Sequence, residues 1–222
     1  MARYPVRFYF SLRSPYSWLA FERLARLRPQ RIAWAFVPTW PRPDREGRVR
    51  DPTDGPGKRE YMVHVVLRQA IALGLPMQPP KALDCDWVRP HAAFLEGEAR
   101  DRPFETALAL CRARWQRRAA LDEDAVLRAA ALDAGLDPDA FVADADDPEG
   151  RRELDRRLRH ARDDGVMGVP YFVLEQPERS RGRQCFFGND RIEWLLREIA
   201  RAEGEPVPDL AADPFAGPWR PA

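Results

Sequence analysis

Three short stretches of the 222-residue chain carry residue types that could do chemistry together. The first is Ser14-Pro15-Tyr16-Ser17. Serine just before a helix and proline at its first position are favoured there for structural reasons alone. The same placement gathers a hydroxyl, free main-chain N–H groups and the positive end of a helix dipole around one point, which suits a bound anion such as a thiolate. Position leaves both roles open. The second stretch is Gly165-Val166-Met167-Gly168-Val169-Pro170, a glycine-flanked turn that enters a strand at a proline. A cis Val169-Pro170 bond would leave the Val169 N–H and C=O free to pair with an extended, peptide-like ligand, whereas a plain loop-to-strand turn needs no such geometry. The third is Phe187-Gly188-Asn189-Asp190-Arg191. Asn189 or Asp190 is expected to cap the helix that follows. The alternative is that this corner holds the charged amino-acid end of a ligand, its carboxylate against helix-start N–H groups and its ammonium against Asp190.

The elements that must position these groups can be read from hydrophobic spacing. Residues 6–10 are rich in β-branched and aromatic side chains and stop at the polar cluster 11–14, which predicts a buried strand ending in a turn. Tyr16, Leu19, Ala20, Arg23, Leu24 and Leu27 recur at helical spacing before Pro29, and residues 32–37 predict a second strand. Strand, helix, strand opens a βαβ unit. After the Pro/Gly/Asp-rich loop 38–57, helical signals fill the interval to about Pro170: 58–73 before Gly74, 103–118 with proline in its first turn, and 122–134 capped by Asp122 before Gly135. Asp137-Pro138 and Asp147-Pro148 start two more, the second ending near Gly165. Residues 171–174 and 185–187 predict an antiparallel hairpin across the charged loop 175–184, and a last helix follows Asn189.

The order βαβ, helices, ββα predicts an α/β chain with a thioredoxin-like fold and an all-helical insertion. Residues 1–57 and 165–204 would form the thioredoxin-like domain, 58–164 the inserted helical subdomain and 205–222 an irregular, proline-rich tail.

Composition narrows the function classes. Lys+Arg total 36 against 35 Asp+Glu, and basic runs such as Arg151-Arg152 and Arg156-Arg157 alternate with Glu153 and Asp155. That balance argues against the one-sided field of a nucleic-acid binder. With neither a secretory leader nor a membrane-length apolar run, a cytoplasmic protein without a membrane partner is expected. Cys85, Cys111 and Cys185 are odd in number and show no CxxC, so neither a disulfide framework nor a metal site is expected, and His64, His91 and His160 are scattered.

Taken together, the Phe-Tyr-Phe strand, Ser14-Pro15-Tyr16-Ser17-Trp18, the helix start from Lys58 to Met62, Gly165 to Pro170 and Gly188-Asn189-Asp190-Arg191 resemble the glutathione-dependent branch of the DsbA-like thioredoxin superfamily. This branch comprises the 2-hydroxychromene-2-carboxylate isomerases and the kappa-class glutathione transferases. The resemblance implies glutathione as cofactor, with Ser14 standing where the oxidoreductases have their attacking cysteine and activating the glutathione sulfur. It further implies that Val169, beside Pro170, pairs with the cysteinyl backbone of glutathione. Gly188, Asn189 and Asp190 would bind the γ-glutamyl end, and Lys58 would meet an anionic substrate or the glycyl carboxylate.

The activity so implied is isomerisation of an aromatic 2-hydroxychromene-2-carboxylate-like substrate in aromatic-compound catabolism, by reversible thiolate addition, in a homodimer. A kappa-class-like transferase acting on an electrophile and a non-catalytic glutathione or peptide binder are the alternatives. A DsbA-like disulfide oxidoreductase is disfavoured because Ser14 and Ser17 occupy both positions of the would-be CxxC. The chain departs from the branch in carrying His64, Val65 and Val66 where an acidic residue is usual. It also has Pro79, Pro80, Lys81, Asp84 and Cys85 in the segment that supplies substrate contacts, and Ser11 in place of an acid at the end of the first strand.

Overall fold

The structure, a computed structural model, describes residues 4–27, 29, 31–39, 55–80, 85–176 and 182–204. Alternation along strand β1 (Tyr4–Phe10) decides the layering, because successive side chains of a strand leave on opposite faces. Val6, Phe8 and Phe10 enter the main core, and Tyr9 enters a smaller cluster with Ala161, Tyr171 and Val173 on the other face. Helix α1 (Pro15–Leu27) follows, then β2 (Ile32–Pro38). Between β2 and the next strand come α2 (Pro56–Ala72), α3 (Val88–Ala99), α4 (Pro103–Gln116), α5 (Asp124–Ala134), α6 (Pro138–Ala145) and α7 (Pro148–Asp163). The chain then returns through β3 (Tyr171–Glu175), β4 (Arg183–Phe187), a 3₁₀ turn Asn189–Arg191 and α8 (Ile192–Ala202).

The sheet order is β2-β1-β3-β4. β1 pairs parallel to β2, with Phe8 opposite Phe36, and antiparallel to β3, with Phe8 opposite Phe172. The Phe8 ring stacks on Phe172 at 4.6 Å and lies 4.7 Å from Phe21 of α1, so one residue fastens two strands to the first helix. Full burial of such a side chain is worth about 1.5–3 kcal/mol. Together, the four-stranded mixed sheet and the helical block form the thioredoxin-like α/β fold with a helical insertion.

Several local expectations need correction. Helix α3 has no counterpart among the helices predicted from the sequence. Pro90 falls in its first turn, where proline is tolerated, and Gly97 is required by contact, since a Cβ there would meet Thr106 Oγ1 at 2.0 Å. Asp122 does not cap α5. The cap position is Glu123, which offers no side-chain bond, and the Asp122 carboxylate accepts instead from the Asp86 N–H. Neither Asn189 nor Asp190 caps α8 through its side chain, because the 3₁₀ turn carries the chain from Gly188 into the helix. Asp137 and Asp147 do cap α6 and α7. The expected tail 205–222 lies outside the described residues, as do 40–54 of the first loop, 177–181 of the hairpin loop, and Lys81 and Asp84.

Candidate active site

Ser14 stands at the junction of the β1–α1 turn and α1. Its hydroxyl oxygen accepts from the Ser17 N–H at 3.3 Å, as a helix cap does, and its hydroxyl donates to the Val169 carbonyl at 3.4 Å. The second contact joins two segments separated by 155 positions in sequence. It brings together the first two stretches singled out from the sequence. The serine is at once cap acceptor toward its own helix and donor to the loop that precedes β3. Pro15 has no N–H and the Tyr16 N–H has no partner among the described residues, so the first turn presents an unused donor next to the Ser14 hydroxyl. Ser17 is fully buried and its Oγ accepts from the Ser11 N–H at 3.2 Å.

The facing loop is held from both ends. The Val169–Pro170 peptide is cis, and the Pro170 carbonyl accepts from the Gly188 N–H at 2.9 Å. Val169 offers a main-chain N–H with no partner among the described residues, but its carbonyl is already engaged by Ser14, so only half of the expected docking edge is free. At the other end Asp164, the residue after α7, accepts from Arg7 Nε at 2.6 Å, from the Tyr9 hydroxyl at 2.5 Å and from Arg183 at 3.1 Å. Arg7 also donates to Glu175. Although burial alone would raise the Asp164 pKa, the guanidinium and phenol donors outweigh it and hold the carboxyl below its usual range. Burial and the Asp164 carboxylate in turn push the Tyr9 phenol well up, so it remains a donor.

The third stretch divides by role. Asn189 is 2% exposed; Arg23 of α1 donates to both its backbone and side-chain oxygens, and its amide donates to Gln69 of α2 at 3.1 Å. Its side chain ties α1, α2 and the β4–α8 corner together. Gly188 has φ 113°, and a Cβ there would meet Asp190 Oδ1 at 2.4 Å, so the corner requires glycine. Asp190 is exposed and paired with Arg191 at 3.3 Å. Burial first, then the nearby Tyr61 and Asp190, raise the pKa of the half-buried Tyr16 phenol. Lys58 lies exposed on the first turn of α2 and pairs with none of these groups. Met167 and Phe187 are exposed apolar groups beside the Val169–Pro170 turn and at the end of β4, with the Phe187 ring filling the space where a Gly168 Cβ would stand.

Sequence reasoning missed Asp164, Arg23 and Gln69, all of which act through other residues. The one available signal was a charge, Arg7, set in an otherwise apolar strand.

A DsbA-like thioredoxin domain matches residues 5–200. The chain belongs to the DsbA-like thioredoxin family. Among characterised relatives, this DsbA-like chain is 27% identical over 197 residues to a 2-hydroxychromene-2-carboxylate isomerase of Sphingobium xenophagum, covering 86% of this chain and 95% of that protein. It is 26% identical over 232 residues to glutathione S-transferase kappa 2 of Caenorhabditis elegans, covering 97% and 95%. A solved structure of a 2-hydroxychromene-2-carboxylate isomerase superposes with a TM-score of 0.75 at 22% identity, over 89% of this chain and 95% of that one. Within the DsbA-like domain described here serine occupies positions 14 and 17, and Cys85, Cys111 and Cys185 are all free. No helix among the described residues is long and apolar enough to cross a membrane.

Proposed function

We propose that the chain binds glutathione with its sulfur at Ser14 and isomerises an aromatic carboxylate of the 2-hydroxychromene-2-carboxylate type. The observation that carries the reading is the contact of Ser14 with Val169 beside the cis proline, with no thiol at either position of the α1 start. The donor set fits glutathione: a hydroxyl and an unused helix-start N–H for a thiolate, a free Val169 N–H for a peptide carbonyl, and an exposed carboxylate, Asp190, for an ammonium.

When bound, glutathione supplies a sulfur nucleophile that adds to a conjugated double bond and leaves after rotation, so none is consumed. The chain's own task is to keep that sulfur ionised and placed. Ser14 does this by turning its hydroxyl from the long 3.4 Å contact with Val169 toward the anion, a stronger, charge-assisted partner. The Tyr16 N–H and the α1 dipole add to the same field. The half-buried Tyr16 phenol, whose pKa burial raises, is assigned as a donor to substrate oxygen. Met167 and Phe187 give an apolar rim for an aromatic ring, and Lys58 is assigned to the substrate carboxylate. A soluble homodimer in the cytoplasm belongs to the same proposal.

Near-equal similarity to an isomerase and to a kappa transferase, 27% and 26%, favours one second reading, in which the sulfur stays on an electrophilic substrate. The test is to follow isomerisation of 2-hydroxychromene-2-carboxylate by absorbance with glutathione at trace and at stoichiometric levels. Multiple turnovers on trace glutathione support the isomerase, glutathione consumed mole for mole supports the transferase, and no dependence on glutathione refutes both.

A further inference from the structure

The turn that carries Ser14 is held by side chains far away in sequence. Leu12, two residues before Ser14, is fully buried, and neither of its main-chain polar groups goes to solvent. Its N–H donates to His91 Nε2 of α3 at 3.2 Å, and its carbonyl accepts from Trp115 Nε1 of α4 at 3.2 Å. Because His91 Nε2 accepts, Nδ1 carries the proton and donates to the Trp87 carbonyl at 2.5 Å, which fixes both tautomer and ring orientation. Burial keeps this imidazole neutral at physiological pH. His91 and Trp115 thus grip one residue of the turn from two helices, while the Ser14 N–H closes the turn on the Ser11 carbonyl at 3.0 Å.

We propose that His91 and Trp115 are positioning residues for Ser14, through which the inserted helices set the place of its hydroxyl. The proposal rests on the reading of Ser14 as the sulfur-binding group. Buried main-chain groups left unpaired are costly, so the turn has a single arrangement that satisfies Leu12. The Ser14 to Val169 contact lies at 3.4 Å, near the limit for a hydrogen bond, so a displacement of the turn by a few tenths of an ångström makes or breaks it. Helices α3 and α4 of the insertion therefore act on Ser14 through the backbone of its turn.

The experiment compares wild type with Trp115→Phe, which keeps an aromatic ring but deletes the donor, with His91→Leu, and with His91→Gln, which returns an acceptor near Nε2. Amide hydrogen exchange across residues 11–18 is read against Phe8 as internal reference, together with glutathione KM, kcat and the thiol pKa of bound glutathione. In Trp115→Phe and His91→Leu, turn amides should exchange about tenfold faster than the reference and kcat should fall about tenfold, with KM within about twofold. The thiol pKa should rise, and His91→Gln should recover most of each effect. Trp115→Phe reports even where His91→Leu does not fold. Turn exchange and kcat at wild-type values in Trp115→Phe overturn the proposal. If wild type binds no glutathione by calorimetry, the functional reading falls, and hydrogen exchange alone decides the clamp: unchanged protection of the turn overturns it.

Discussion

Removing the charge of Asp164 tests how the cleft loop is fastened. Asp164→Asn preserves shape and leaves an oxygen acceptor, but it takes away the counter-charge for Arg7 and Arg183 and weakens the bond from Tyr9. A hydrogen bond to a charged partner contributes about 1.5–3 kcal/mol, and an exposed ion pair about 0–1 kcal/mol. The Asp164 side chain is 12% exposed, Arg7 32% and Arg183 45%, and Arg7 retains Glu175 in the variant. The Arg183 contribution is accordingly near zero and that of Arg7 is discounted, which leaves about 2 kcal/mol of lost stability at pH 7. The folded-state pKa of Asp164 lies below its usual value, so its contribution is complete above the ordinary carboxylate range and is lost as pH falls through the depressed value. Urea denaturation of both proteins from pH 7 down to pH 3 is the assay. The gap should be about 2 kcal/mol at neutrality and shrink toward acid. A gap under about 0.5 kcal/mol at pH 7 would refute the view that Asp164 anchors the end of α7 to the sheet.

Two further outcomes follow from the same geometry. His91 is neutral in the fold, with a pKa lowered by burial to about 4 from the usual 6.5, so the unfolded chain binds the extra proton between those values. Stability should therefore fall on acidification through that window by about 1.4 kcal/mol per pH unit, reaching about 3 kcal/mol, and His91→Gln should remove this part of the slope in paired urea titrations. Asp190→Ala should weaken glutathione binding by about 1 kcal/mol, or about fivefold in Kd by calorimetry, since the carboxylate is exposed and its pairing is screened. Unchanged affinity removes the ammonium contact.

Much of the fold was legible because the signals were local. The Val6–Phe8–Phe10 alternation specified β1 and its buried face, and the Asp-Pro pairs at 137 and 147 specified two helix starts that the structure caps as expected. α3 was hidden because Pro90 and Gly97 carry the local signature of a break, while their tolerance depends on first-turn position and on contact with Thr106. In the site, Ser14 and Val169 announced themselves by residue type beside glycine and proline. Asn189 misled as a cap for the same reason: an asparagine before a helix reads as capping it, and its burial under Arg23 and Gln69 is set by residues 166 and 120 positions away. Asp164, His91 and Trp115 act at similar range and leave no periodic trace.

If the Ser14 hydroxyl holds glutathione as thiolate, the thiolate absorbance of bound glutathione, titrated in wild type and in Ser14→Ala, reads that contact directly. Loss of the cap should cost about 1 kcal/mol of stability and leave the fold intact. Loss of one charge-assisted bond, about 1.5–3 kcal/mol, should raise the bound thiol pKa by about one to two units and lower turnover about 10- to 100-fold. Equal thiol pKa values and equal rates in the two proteins would contradict the account, leaving Ser14 as a helix cap and nothing more.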